Sequence, residues 1–242
     1  MRRRDFLKGS AAAAGIAAAG WSLARNAAGG AGESPSRRLT PPKDGVIPVA
    51  VTISEGVTVI DFSGPWEVFQ DVHIPEAGDD MDRVMPFRLF TVAESLDPVR
   101  GSGGLRLVPD YTFATAPPPR VVVVPAQKGN AALHEWLRKT SHTADLTMSV
   151  CTGAFQLAKA GLLAGLEATT HHNFLDRFAS MYPDIKVKRG LRFVEGAPKI
   201  ATAGGLSSGI DLALRVVERY YGRPAAERTA AYMEYQSKGW IV

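Results

Sequence analysis

Cysteine is nearly absent: the 242-residue chain carries one, Cys151. A single thiol excludes an intramolecular disulfide and every cysteine-rich zinc pattern. It leaves Cys151 as a buried filler, a reactive thiol or half of an intermolecular bridge. Charge of one sign is also scarce once the start of the chain is set aside. The first forty residues hold seven of the 28 Lys and Arg and two of the 24 Asp and Glu, so the remainder carries 21 against 22. That near-neutral body lacks the excess of phosphate-neutralising charge that a nucleic-acid partner requires. Long, strongly apolar runs are missing too. The alanine-rich stretch up to Leu23 falls short of a membrane span, which needs roughly 20 strongly apolar residues. There is no internal repeat. The glycines Gly204, Gly205 and Gly209 before a helical pattern lack both the Lys of a P-loop and the G-x-G-x-x-G spacing. A nucleotide site is therefore not expected, nor is any cofactor or metal.

What is present begins with an address. Arg3-Arg4 precede Asp5-Phe6-Leu7-Lys8 and the alanine-rich run, an order that resembles a twin-arginine export signal over residues 1–32. The alternative is a basic-ended helix that stays attached, and a retained signal would act as a membrane anchor. Residues 33–44, rich in Gly, Pro and Ser, read as a flexible linker. The body at 45–242 is expected to fold in the cytoplasm and to act outside it, in the periplasm or another extracytoplasmic space.

From Val46 onward, short apolar runs alternate with helical patterns. Residues 46–53, 86–93, 120–126, 145–150 and 199–203 read as core strands, 104–109 as a hairpin arm and 167–170 as a short strand. Two further strands are expected at 185–190 and 191–196. Helices are expected at 64–72, with Pro65 in the first turn, and at 130–140, 153–163, 171–181 and 207–222, with a last one from about Pro224. The all-apolar run at 120–126 suits a strand covered on both faces. The alternation predicts an α/β fold: a doubly wound, mostly parallel sheet sandwiched by helices, with sites at the carboxyl ends of its strands.

Cys151 then falls where the strand 145–150 ends and the helix 153–163 begins. A thiol at such a turn gains from the helix dipole and free backbone N–H groups, which predicts a lowered pKa. Gly153 permits close packing there and Thr152 adds a hydroxyl. In an oxidising space, a thiol of low pKa is also expected to form a sulfenic acid.

The segment "SVCTGAFQLAKAGLLAGLEATTHH", with "VIDFSGPWEVF" upstream and "TAGGLSSGIDLALRVVE" downstream, resembles the ThiJ/PfpI superfamily, of class I glutamine amidotransferase-like, flavodoxin-like fold. The nearest likeness is to the isonitrile hydratase branch and to the ligand domains of AraC-type regulators. The resemblance implies Cys151 as nucleophile, Thr152 as its supporting neighbour, Asp61 as the acid facing the thiol, and His171 as the histidine near it. Asp61 also suits a helix cap. His171 and His172 also suit plain strand-end positions, in which case they point to opposite faces. Substrate contacts are expected at Gly64, Ala126, Gln127 and Gly205. One departure stands out: where the family usually has Pro-Gly-Gly, with a backbone N–H in an anion pocket, this chain has Pro125-Ala126-Gln127, and the Gln127 amide is expected to project toward substrate.

The implied reaction is hydration of an isonitrile to an N-substituted formamide by a cofactor-independent lyase: the thiolate attacks the terminal carbon and Asp61 handles the proton. The alternatives are a non-catalytic ligand-binding or redox-sensing module, and a glyoxalase, deglycase or peptidase activity. The expected partners are a small-molecule substrate and a second copy of the chain, as a homodimer. With the last expected helix ending shortly before Val242, a helix-turn-helix domain is not expected.

Overall fold

Four consecutive valines, Val121–Val124, are fully buried, and the structure shows why such a run can be a strand. Val121 and Val123 face one apolar cluster, while Val122 and Val124 face the other. Both faces of the sheet are covered, so the usual polar alternation disappears. The computed structural model describes residues 38–43 and 45–242. The expected export signal and residues 33–37 and 44 of the linker lie outside the described residues.

In chain order the elements are β1 (Ile47–Thr52), α1 (Val59–Gln70), α2 (Met81–Val84), β2 (Phe87–Ala93), β3 (Val99–Arg100), β4 (Arg106–Leu107) and β5 (Tyr111–Thr112). Then come β6 (Val121–Val124), α3 (Ala131–Thr143), β7 (Leu146–Ser149), α4 (Gly153–Lys159), β8 (Glu167–Ala168) and α5 (Leu175–Met181). The chain closes with β9 (Lys186–Val187), β10 (Phe193–Ala197), β11 (Ile200–Ala203), α6 (Ser208–Tyr221) and α7 (Arg223–Tyr232). The main sheet runs β10-β11-β7-β6-β1-β2-β5. Every pairing in it is parallel except β10 with β11. It is the doubly wound, mostly parallel sheet that the alternating pattern predicts.

Helices α1, α6 and α7 supply Phe69, Leu212 and Ala226 to the cluster on one face. Helices α3, α4 and α5 supply Leu137, Phe155 and Phe178 to the other. Each of the Leu and Phe side chains among these, moved wholly out of water, contributes about 1.5–3 kcal/mol before entropy is counted, and the Ala226 methyl about 0.8. Asn130 caps α3 by accepting the Leu133 N–H at 2.9 Å, which explains that helix's sharp start.

Three local readings change. Helix α1 begins at Val59, not at Gly64. Thr58, in extended geometry, occupies its N-cap, and Pro65 lies inside the helix, where its ring lacks the N–H that would otherwise meet the Asp61 carbonyl. The strands expected at 185–190 and 191–196 shrink to Lys186–Val187 and move to Phe193–Ala197, and they join different sheets. β9 lies parallel to β8, while β10 joins the main sheet. The end of the linker is also held: the Leu39 N–H donates to the Arg219 carbonyl at 2.8 Å. No helix among the described residues is long and apolar enough to cross a membrane.

Candidate active site

Cys151 sits just beyond β7 in the left-handed region, with φ of 57°. For a non-glycine residue that geometry costs roughly 1–2 kcal/mol, and its neighbours hold it in place. The Cys151 N–H donates to the Gly204 carbonyl at 2.8 Å, and the Thr170 hydroxyl donates to the Cys151 carbonyl at 2.8 Å. Gly153 completes the elbow, since a Cβ there would lie 2.0 Å from the Val124 carbonyl oxygen. The thiol-bearing residue is only 7% exposed.

Asp61, in the first turn of α1, is fully buried. Its Oδ2 accepts the Ala126 N–H at 3.1 Å, while Oδ1 has no partner of ordinary hydrogen-bond geometry. Burial pushes the Asp61 carboxyl up to about 6, against the opposing pull of the Ala126 N–H, the Cys151 thiol and the Leu206 N–H. Burial first, and then the neighbouring Asp61 charge, push the thiol up to about 11, although the Thr152 and Leu206 N–H groups favour its anion. This reverses the lowered pKa expected from the helix start. Helix α4 has only seven residues, and its dipole does not outweigh desolvation beside a carboxylate. Burial thus pushes both members of the pair toward their protonated forms, and each sits where it can exchange a proton with the other.

The other expected residues take mixed places. Thr152 is half-buried and occupies the N-cap of α4 without a side-chain capping bond. Its contribution at the thiol is its backbone N–H. The Nδ1 of His171 accepts the Asn173 N–H at 3.2 Å, which leaves the proton of the neutral ring on Nε2. That ring packs on Gly205, where a Cβ would fall 2.3 Å from the His171 Cδ2. Burial and His172 lower the His171 pKa, and neither residue's described hydrogen bonds join His171 to the thiol. The two histidines are not on a strand: His171 precedes a 3₁₀ turn at His172–Phe174, and their rings stack at 4.3 Å.

The structure gives three of the expected substrate residues partners within the chain. Gly64 is buried, and a Cβ on it would come within 2.9 Å of Ile210, so it serves the contact between α1 and α6. The Ala126 N–H is occupied by Asp61 and is not offered to an anion. The Gln127 amide does not project toward substrate: its Nε2 donates to the Thr52 hydroxyl at 2.6 Å and to the Thr52 carbonyl at 3.2 Å. Gly205 does border open space, a cavity of about 360 Å³ lined also by Thr169, His171, Leu191, Arg192 and Leu206. Leu206 was not foreseen. It carries φ of 51° and is 44% exposed, and its N–H faces both Asp61 and Cys151. The glycine pair before it permits a close backbone approach, but nothing local marks a leucine as left-handed. Among the described residues, no three His, Cys, Asp or Glu side chains gather as metal ligands.

A strained cysteine between strand and helix, facing a buried acid from the first helix of a parallel sheet, is the arrangement over which the DJ-1/PfpI family pattern matches this chain, at residues 48–219. The chain belongs to the DJ-1/PfpI family. It is 31% identical over 189 residues to the isonitrile hydratase of Pseudomonas putida, covering 74% of each chain. It is 38% identical over 98 residues to the HTH-type transcriptional regulator CdhR of Pseudomonas aeruginosa, covering 40% of this chain and 29% of the regulator. Among solved structures, a ThiJ/PfpI family protein from Pseudomonas syringae superposes with a TM-score of 0.68 at 28% identity, covering 80% of this chain and 76% of that one. The DJ-1/PfpI domain here thus has relatives described as an enzyme and as a regulator.

Proposed function

We propose that this protein is a cysteine-dependent, cofactor-independent hydratase acting on isonitriles, with Cys151 as nucleophile and Asp61 as its proton carrier. The observation that carries the reading is the pairing of a left-handed, buried cysteine with a fully buried aspartate beside its thiol. An isonitrile carbon must gain a sulfur bond and a proton together. The S–H bond breaks, the C–S bond forms, and Asp61 relays the proton from sulfur to that carbon, giving a thioformimidate. Water then adds to the same carbon and the nitrogen is protonated. The C–S bond breaks, the formamide leaves and the proton returns to sulfur through Asp61. One water is consumed and nothing is oxidised or reduced. The likeness to the Pseudomonas putida isonitrile hydratase supports the reading. The cavity beside Gly205 and Leu206 suits the nitrogen substituent. Thr152 supports the sulfur through its N–H, and His171 borders the substituent.

The test is formamide production from a simple aliphatic isonitrile by residues 44–242. Turnover by the wild type and none by Cys151→Ala are expected; equal turnover by both overturns the mechanism. A second reading, a ligand-binding module, draws on the thiol's 7% exposure and on the regulator relative. Saturable isonitrile binding without turnover would favour it. As part of the proposal, residues 1–32 direct twin-arginine export to the periplasm and the body pairs as a homodimer. Fractionation and light scattering test these two points.

A further inference from the structure

Arg192 grips the loop between β11 and α6 at both ends. Its backbone carbonyl accepts the Gly204 N–H at 2.9 Å, and its guanidinium donates to the Ser207 hydroxyl at 3.1 Å. Between these two anchors lie Gly205 and Leu206, whose N–H faces the nucleophile and its acid. The guanidinium is itself anchored, with both Nε and a terminal nitrogen 2.5 Å from the Asp211 Oδ2. Asp211, in the first turn of α6, is fully buried. Its other oxygen accepts the Ser237 hydroxyl at 3.1 Å. The chain after α7 closes over this pair: a Cβ on Gly239 would lie 3.0 Å from the Arg192 Cγ and 3.1 Å from the Asp211 Oδ2.

Leucine does not hold a left-handed backbone by itself. Two anchors three residues apart, drawn from one arginine, supply the constraint. A guanidinium seated on a buried carboxylate loses little further freedom in making it.

We infer that Arg192, oriented by Asp211 and covered by the segment around Ser237, is a positioning residue that holds the Leu206 N–H against the Cys151–Asp61 pair through Ser207. The inference rests on the hydratase reading for its meaning in catalysis, but not for its test.

The test is the pH profile of Cys151 alkylation by iodoacetamide, which needs no isonitrile, in the wild type, Ser207→Ala, Ser207→Thr and Asp211→Asn. Ser207 is exposed, so its variants are expected to melt with the wild type. A thiolate that loses one N–H donor is expected to titrate about one pH unit higher, slowing alkylation roughly tenfold at a fixed pH below the midpoint. Ser207→Ala and Asp211→Asn should show this shift, and Ser207→Thr should restore the wild-type profile. An unmoved midpoint in folded Ser207→Ala overturns the inference, as does a lowered melting temperature without a shift. If Asp211→Asn fails to fold, Ser207→Ala decides alone. With isonitrile, kcat should fall in Ser207→Ala while KM changes little. If the wild type turns over no isonitrile, the hydratase reading fails while the alkylation profile still judges the positioning.

Discussion

The Asp61 Oδ2 takes the Ala126 N–H at 3.1 Å, so the backbone donor that follows β6 orients the acid and is not available to a substrate anion. In the Pro125-Ala126-Gln127 turn this donor points inward, to the acid. The turn ties β6 to α1, with the Thr58 N–H returning to the Ala126 carbonyl at 2.8 Å and the Gln127 amide bound to Thr52.

That buried acid should cost stability. A carboxyl raised from 3.8 to about 6 on folding stabilises the native state only while protonated, at and below pH 4. The contribution is lost as pH rises from about 4 through 6. Asp61→Asn is expected to be more stable than wild type at pH 8, by roughly 2–3 kcal/mol, with the difference vanishing near pH 4. Denaturant midpoints at the two pH values check this.

The same substitution separates thiol reactivity from catalysis. Removing the Asp61 charge should lower the alkylation midpoint of Cys151 from about 11, so iodoacetamide should react faster with Asp61→Asn at pH 8. Hydration of isonitrile should nonetheless fall at least about 100-fold, the scale of a lost general base. A mutant that is both more reactive and fully active would remove Asp61 from the mechanism.

Wild-type Cys151 should resist oxidation near neutral pH, against the expectation from its place at a helix start. A thiol whose pKa burial and Asp61 hold near 11 is almost entirely protonated at pH 7, and peroxide reacts with thiolates. Intact-mass spectrometry after mild peroxide should show the unmodified chain, whereas stoichiometric sulfenic or sulfinic acid would contradict the electrostatics described above.

His171 should matter less than Cys151 or Asp61. Its ring rests on Gly205 and accepts from Asn173, and no hydrogen bond to the thiol accompanies those contacts. His171→Asn is expected to keep kcat within about tenfold of wild type, short of the full range of a general acid or base. Steady-state kinetics would decide it.

Gly153→Ala tests the elbow itself. The new methyl would meet the Val124 carbonyl, a backbone atom, at 2.0 Å. Backbone must move to admit it, at a cost of about 3 kcal/mol or more, which a thermal melt would register as a drop of several degrees.

Much of this was legible in the sequence because parallel strands advertise themselves. Val121–Val124 are buried on both faces and stand out as a short apolar run, and Leu146–Ser149, equally buried, ends just before the helical pattern from Gly153, which put Cys151 at a strand end and the site at the sheet's carboxyl edge. The start of α1 was hidden because Pro65 suits a first turn, yet the helix tolerates it a turn and a half further in. Gln127 was misread because its partner, Thr52, is 75 residues away. The left-handed Leu206 was invisible because its conformation is imposed by Arg192, Ser207 and Gly204 acting together, and no local pattern encodes that.

The contact between His171 and Gly205 carries an evolutionary corollary. A side chain at position 205 and an imidazole at position 171 compete for the same volume, since the smallest possible addition already overlaps the ring at 2.3 Å. Through the descent of this family the two positions should vary as a pair. A larger residue at 205 is expected to go with loss or displacement of the ring at 171, and an alignment of many relatives should show that exchange as covariation between two sites 34 residues apart.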